Sequence, residues 1–194
     1  MGQPKGLVIV EGRAWIERQI ASFGACGGRR VIVVLGRARD EYAAALSWID
    51  EASKGGATLG DVRVTVALNE DPDRGPFSSL QVGVRALKGD GASLSAAFVL
   101  PVDVPAPDES VWRALAAGAE GADASVAVFE GRGGHPVLCS AALLDDILAT
   151  SLDAADARLD AKLRGRKSVR RVDVADARVL ANLNRPTDWI AKLM

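Results

Sequence analysis

The chain has one histidine and two cysteines in 194 residues, and that scarcity removes whole classes of chemistry. His135 cannot build a zinc centre without cysteine help, and Cys139, four residues on, is its one near neighbour in sequence. Cys26 and Cys139 make neither a CxxC pair nor a disulfide framework, so both read as core thiols of a protein in a reducing compartment. No apolar run approaches the ~18 residues of a membrane helix, and the N-terminus lacks the apolar core of a secretion signal. A cytoplasmic protein with no membrane partner is expected. Charge of one sign is missing too: 24 basic against 25 acidic residues leave a net charge of −1, with no global field to hold a nucleic acid. Any anion recognition is therefore local. There is no GxSxG elbow for a serine hydrolase, no GxxxxGK[ST] loop, and no GxGxxG at a strand-to-helix turn.

What is present suffices to fold. Hydrophobic residues make up 48% and charged residues 25%, ordinary for a globular chain, and the length favours one domain, residues 1–194, over two. Val31–Leu35, Val62–Leu68, Ala96–Leu100 and Ala124–Phe129 read as strands, several too continuously apolar for a sheet with a wet face. Helical spacing places Trp15, Ile16, Gln19, Ile20 and Phe23 on one face before the stop "GACGG", and Tyr42–Ala52 repeats the pattern before Gly55 and Gly56. Ser78–Leu87 and Glu109–Ala119 are further helices, each opened by a serine or aspartate able to cap, and Ala154–Ala161 reads as a surface helix. Such alternation predicts an α/β fold with a buried, largely parallel sheet and ligands at the carboxyl ends of its strands.

Three stretches could carry chemistry, the first of them at such an end. Ala96–Leu100 runs into "PVDVP", where Pro101 and Pro105 hold Asp103 in a rigid turn; one carboxylate plus substrate phosphates suits Mg²⁺. In "DPDRGPFSSLQVG", Ser78 and Ser79 sit where a helix begins, either as ordinary caps or as donors to a nucleotide. "GRGGHPVLCS" presents His135 in a Gly-Gly-His-Pro turn, read as structural or substrate-positioning, with a general base as the alternative. The densest basic run, Arg164, Arg166, Lys167, Arg170 and Arg171, reads as a solvated surface rather than a phosphate site.

In order, "MGQPKGLVIVEGRAWIERQI", "GPFSSLQVG", "PVDVP", "GGHPVL" and "NLNRPTDW" resemble the nucleotidyltransferases of molybdenum-cofactor biosynthesis, the molybdopterin guanylyltransferase and molybdenum-cofactor cytidylyltransferase group. The resemblance implies a Rossmann-like nucleotidyltransferase fold, a glycosyltransferase-A-like three-layer sandwich with a mostly parallel central sheet. It implies Mg²⁺-dependent transfer of a nucleoside monophosphate from CTP or GTP to a phosphorylated acceptor such as molybdopterin, releasing pyrophosphate. Lys5 and Asp103 are then catalytic. Gly2, Lys5, Ser78, Ser79 and Asp103 bind nucleotide, Asp103 and Asn184 hold the metal, and His135 and Asn182 position substrate. The asparagines resemble guanylyltransferases and "SSL" resembles cytidylyltransferases, so both bases stay open. A non-catalytic nucleotide-binding homologue and a sugar-phosphate nucleotidyltransferase are the alternatives.

The resemblance also implies a departure. Relatives begin with a strand and a loop of the type LAAGxSxRMGxxK, whereas this sequence starts at the final "MGQPK". Met1 is expected to be the internal methionine of that loop rather than a natural start, the alternative being a degenerate homologue.

Overall fold

The alternation of apolar runs and helical stretches folds as helices laid on both sides of β-structure. The computed structural model describes residues 2–89, 91, 93–184 and 188. Met1 and most of "RPTDW" lie outside the described residues. In chain order the elements are β1 (Ile9–Val10), β2 (Arg13–Ala14), α1 (Trp15–Ala25), β3 (Arg30–Leu35), α2 (Arg39–Ala45), α3 (Trp48–Lys54), β4 (Ala57–Leu59) and β5 (Val62–Leu68). There follow α4 (Pro76–Lys88), β6 (Ala96–Val99), α5 (Glu109–Ala117), β7 (Ala124–Phe129), β8 (Arg132–Ser140), α6 (Ala141–Ala149), α7 (Leu159–Arg164) and β9 (Val169–Asp173).

Two sheets carry the fold besides the β1–β2 hairpin, one ordered β3-β5-β4 and one ordered β6-β8-β7-β9. They lie in one layer, because strand alternation sends their side chains to the same two sets of helices. On β3, Val31, Val33 and Leu35 join the apolar cluster containing Ile16 and Ile20 of α1, while a Cβ on Gly83 of α4 would lie 3.1 Å from Val34. On β6, Phe98 meets Phe23 of α1 edge-on at 6.0 Å, while Ala97 and Val99 pack into the cluster containing Val84 of α4. The deepest side chains, Ile49, Leu115, Leu143, Leu144 and Ile147, are 0% exposed; burying each stabilises by about 1.5–3 kcal/mol.

The sheets are mixed rather than largely parallel: β3–β5 and β7–β9 are parallel, whereas β4–β5, β6–β8 and β7–β8 are antiparallel. The difference comes from hairpins. Glu11-Gly12 and Glu130-Gly131 both adopt positive φ, the geometry of a two-residue turn whose twist suits paired strands. The four anticipated strands are present, with the third ending at Val99. The predicted helix over 42–52 is broken at Leu46, which turns extended and buries itself between α2 and α3. The caps differ as well. Gly75, not Ser78, precedes α4, and the Asp108 side chain pairs with Arg178 instead of capping α5. Residues 154–158 form turns, with helix only over Leu159–Arg164. Of the two thiols, Cys139 is fully buried and its pKa is pushed up to about 12 by burial, but Cys26 is half-exposed at the end of α1.

Candidate active site

Three side chains far apart in sequence converge past the end of β6. Lys5 Nζ donates to Asp103 Oδ2 at 2.9 Å and to Asn184 Oδ1 at 2.5 Å. Lys5 and Asp103 are about one quarter exposed, so the pair faces solvent without being free to swing away.

Each member is held by its own local device. Lys5 opens a 3-10 turn, Lys5–Leu7, whose next residue is pinned from behind: Gly6 N–H donates to Tyr42 Oη at 3.1 Å. A Cβ at Gly6 would sit 2.4 Å from that oxygen, so only glycine lets the turn approach Tyr42. Tyr42 is itself buried, which pushes its phenol pKa up.

Asp103 sits in the turn Pro101–Val104, closed by Val104 N–H to Pro101 O at 3.1 Å. Carbonyls on either side of it accept from α1: Trp15 Nε1–H reaches Val102 O at 2.7 Å, and Gln19 Nε2–H reaches Val104 O at 2.6 Å. The carbonyl of Asp103 accepts from Leu183 N–H at 2.7 Å. That last bond imports Asn184. Residues 181–184 alternate buried and exposed, with Ala181 and Leu183 inside, and Leu183 packs with Trp15. Alternation turns Asn182 and Asn184 outward, and Asn184 lands on Lys5.

The remaining expected residues stand in different surroundings. Gly2 is exposed with open space around its Cα. Asn182 is exposed. His135 is not in a turn: it lies inside β8, and the preceding glycine answers a close approach, since a Cβ on Gly134 would lie 2.2 Å from Val179 O. Burial lowers the imidazole pKa below its ordinary 6.5, against opposing contributions from the Val99 backbone and the Asp103 carboxylate. Its Nδ1 is buried without a partner among the described residues. Ser78 and Ser79 form a separate loop network. Asn69 Nδ2–H donates to both hydroxyls at 2.9 Å, and Ser78 Oγ–H donates to Gly75 O at 2.8 Å. Ser78 is 4% exposed, so its hydroxyl serves the loop, while Ser79 is half-buried.

Sequence reading missed Asn69. It lines a cleft of about 420 Å³ at the carboxyl ends of β3 and β5, together with Gly36, Arg37, Arg39 and Asp71. The signal available was a polar residue directly after a β-branched strand, a place where α/β sheets bind ligands. In the basic run Arg164 is exposed and bonds Asp160 at 2.9 Å, whereas Arg166 is half-buried and bonds Asp146 at 2.8 Å.

Among the described residues no group of three His, Cys, Asp or Glu could hold a metal ion. The donors that do meet are a carboxylate and a carboxamide oxygen, both gathered on the Lys5 ammonium. Hard oxygen donors of low number fit a divalent cation that takes its other ligands from water and phosphate.

Known proteins share this organisation. Residues 1–171 match the MobA-like NTP transferase domain. The structure resembles a nucleotidyl transferase from Methanothermobacter thermautotroptrophicus at 25% identity and TM-score 0.69, over 96% of this chain and 82% of that one. It resembles the Rv0371c homologue from Mycobacterium sp. strain JC1 at 24% identity and TM-score 0.70, over 98% and 86%. The manganese complex of Rv0371c from Mycobacterium tuberculosis H37Rv matches at 20% identity and TM-score 0.72, over 99% and 92%. No curated protein matches the sequence. Among the described residues no helix is long and apolar enough to cross a membrane. A Rossmann-like α/β fold accords with the domain match, and the chain belongs to the MobA-like NTP transferase domain family, as a nucleotidyltransferase.

Proposed function

We propose that residues 1–194 act as a single catalytic domain, transferring a nucleoside monophosphate from CTP or GTP to a phosphorylated acceptor, with molybdopterin as the acceptor and pyrophosphate as the leaving product. The observation that carries this reading is the Lys5–Asp103–Asn184 cluster. Asp103 and Asn184 would hold Mg²⁺, whose charge would offset that developing on the transferring phosphates. The manganese complex of a similar protein supports a divalent ion in this fold.

The chain's own residues do the rest. Lys5 presents its ammonium to phosphate oxygens from a turn that Tyr42 keeps in place. An acceptor phosphate monoester, with a second pKa of about 6, is largely ionised at neutral pH, so attack on the α-phosphorus needs no protein base. His135 suits that economy. Its imidazole pKa is lowered by partial burial, and it adds shape and a polar edge near Asp103. Ser79, with Ser78 and Asn69 fixing its loop, would meet the nucleoside, while exposed Asn182 would face the acceptor and exposed Gly2 would offer its backbone to the nucleotide.

The test is pyrophosphate release from CTP and from GTP, each with molybdopterin and with a sugar phosphate. Asp103→Ala should cut turnover by about 10²–10³-fold, the cost of removing one preorganised electrostatic group. Turnover with a sugar phosphate alone would reassign the acceptor. Binding of either triphosphate without pyrophosphate release would support the non-catalytic homologue instead.

A further inference from the structure

The two oxygens suited to a divalent ion are the ones that Lys5 already holds. Lys5 Nζ stands 2.9 Å from Asp103 Oδ2 and 2.5 Å from Asn184 Oδ1, so one ammonium spans both acceptors. A hard divalent ion needs such oxygens at closer range than an ammonium does, and two cations sharing the same pair would repel across a short gap. Charge argues the same way. Asp103 brings one negative charge, Lys5 cancels it and Asn184 adds none, so the cluster as it stands has little to attract a second cation.

The three side chains differ in what anchors them. The carbonyl of Asp103 accepts from Leu183 N–H at 2.7 Å, and its neighbours Val102 and Val104 accept from Trp15 and Gln19 of α1. Asn184 is held at its own N–H, which donates to Asp188 Oδ2 at 3.0 Å. Both acceptors therefore stay in place. Lys5 is pinned at its turn by the Gly6 bond to Tyr42, but past the turn runs a flexible four-carbon stem that ends in a point charge. With the Lys5 and Asp103 side chains 28% and 24% exposed, water alone is a poor substitute for the two oxygens. A polyphosphate is a better one, because its oxygens take charge-assisted hydrogen bonds from the ammonium and bring further negative charge for a metal.

We propose that Lys5 is a placeholder in the metal site: its ammonium keeps Asp103 and Asn184 until a triphosphate draws it onto phosphate oxygens, so that ion and triphosphate are taken up together rather than the ion first. This exchange rests on the reading that Asp103 and Asn184 receive the ion and Lys5 the phosphates. One side chain then couples the two ligands. Removing its charge has opposite effects on two states: it frees the oxygens for an ion alone, and it weakens the hold on an ion that arrives with a triphosphate.

Mn²⁺ binding to the 194-residue chain, followed by electron paramagnetic resonance, reads the first state without turnover. For the ion alone, Lys5→Met should tighten binding by about tenfold, Lys5→Arg, which keeps a cation, should not, and adding Asp103→Asn to Lys5→Met should abolish the gain. For a preformed complex of Mn²⁺ with the α,β-methylene analogue of CTP or GTP the sign should reverse, with Lys5→Met binding more weakly than the parent. No gain for the ion alone in Lys5→Met, an equal gain in Lys5→Arg, or an equal gain for the ion and for the analogue complex overturns the exchange. The parent chain gives a check without substitution. Its Lys5 Nζ nitrogen-15 resonance should shift with metal-free inorganic tripolyphosphate and hold still with Mg²⁺ alone at the same concentration; a shift with Mg²⁺ alone and none with tripolyphosphate overturns the exchange as well. The two readings fail separately. Pyrophosphate release that persists when the exchange fails leaves the transfer reading standing, whereas unchanged binding of the Mn²⁺ analogue complex in Asp103→Asn removes Asp103 as the ligand and both readings with it.

Discussion

Two lysines anchor carboxylate clusters in this molecule, and they do opposite jobs. Lys162 is 9% exposed and reaches Asp156 at 2.7 Å and Asp146 at 3.5 Å; Asp146 also takes Arg166 at 2.8 Å. All of these residues fall within 21 positions of one another, from Asp146 to Arg166, on α6, α7 and the turns beside them. Lys5 meets one carboxylate and one amide, its partners are 98 and 179 residues away, and the group faces solvent. A buried cation ringed by carboxylates is satisfied and holds helices together. A cation with one carboxylate beside an open face keeps donors for an anion to use. Losing a charge should therefore damage folding at Lys162 and turnover at Lys5.

The largest effect is expected on activity: Lys5→Ala should lower turnover by about 10²–10³-fold while shifting the Tm little, measured by pyrophosphate release and thermal melting. Gly6→Ala should move activity in the same direction, although Gly6 touches no ligand, because the added methyl must push Tyr42 or the Lys5 turn aside. Unchanged turnover in Gly6→Ala would show that the turn tolerates displacement.

The converse variant, Lys162→Ala, should leave the turnover of the folded enzyme intact. Breaking a buried pair costs about 3–5 kcal/mol, but Asp146 and Asp156 are 38% and 57% exposed, so about 2 kcal/mol is expected in denaturant melts.

A third cluster grades between them. Asp176 is buried, which by itself raises its pKa, but Arg178 and two backbone N–H groups outweigh burial and hold it below the ordinary 3.8. Its stabilising contribution is therefore complete above 3.8 and lost as pH falls through the lower folded value. Asp176→Asn should cost about 1 kcal/mol at pH 7, and the gap from the parent should close in acid, below 3.8. The smallest effect belongs to His135. Its folded pKa lies below 6.5, so the parent should lose stability relative to His135→Asn as pH drops from 6.5, by an amount read from melts at successive pH values.

Strands 31–35, 62–68 and 124–129 were legible because continuous β-branched runs have few alternatives, and the helix stops were legible from paired glycines, of which Gly27 and Gly56 take positive φ. β8 was not legible. Its Gly-Gly-His-Pro opening carries turn residues, and the reason for Gly134 is a carbonyl at Val179, 45 positions away. The hairpins did leave a signal, the repeated Glu-Gly-Arg after a β-branched or aromatic residue at 10–13 and 129–132. In the site, Asp103 could be singled out from its proline-flanked turn, whereas Lys5 and Asn184 were assigned roles only through the family resemblance. Asn69 offered only its place directly after a β-branched strand; that it bridges two serines across a turn depends on the folded loop.

By itself the sequence determined the local terms: which stretches bury apolar faces, where prolines and glycines bend the chain, and the charge types available at the strand ends. Those depend on side chains within a few residues of each other. Only the tertiary structure decided that Lys5, Asp103 and Asn184 meet on one nitrogen, that His135 lies half-buried inside β8 with its imidazole pKa lowered, and that α1 and α4 each pack against strands of both sheets. These depend on chain closure over tens to hundreds of residues, where hydrogen bonds such as Leu183 to Asp103, not propensity, set the outcome.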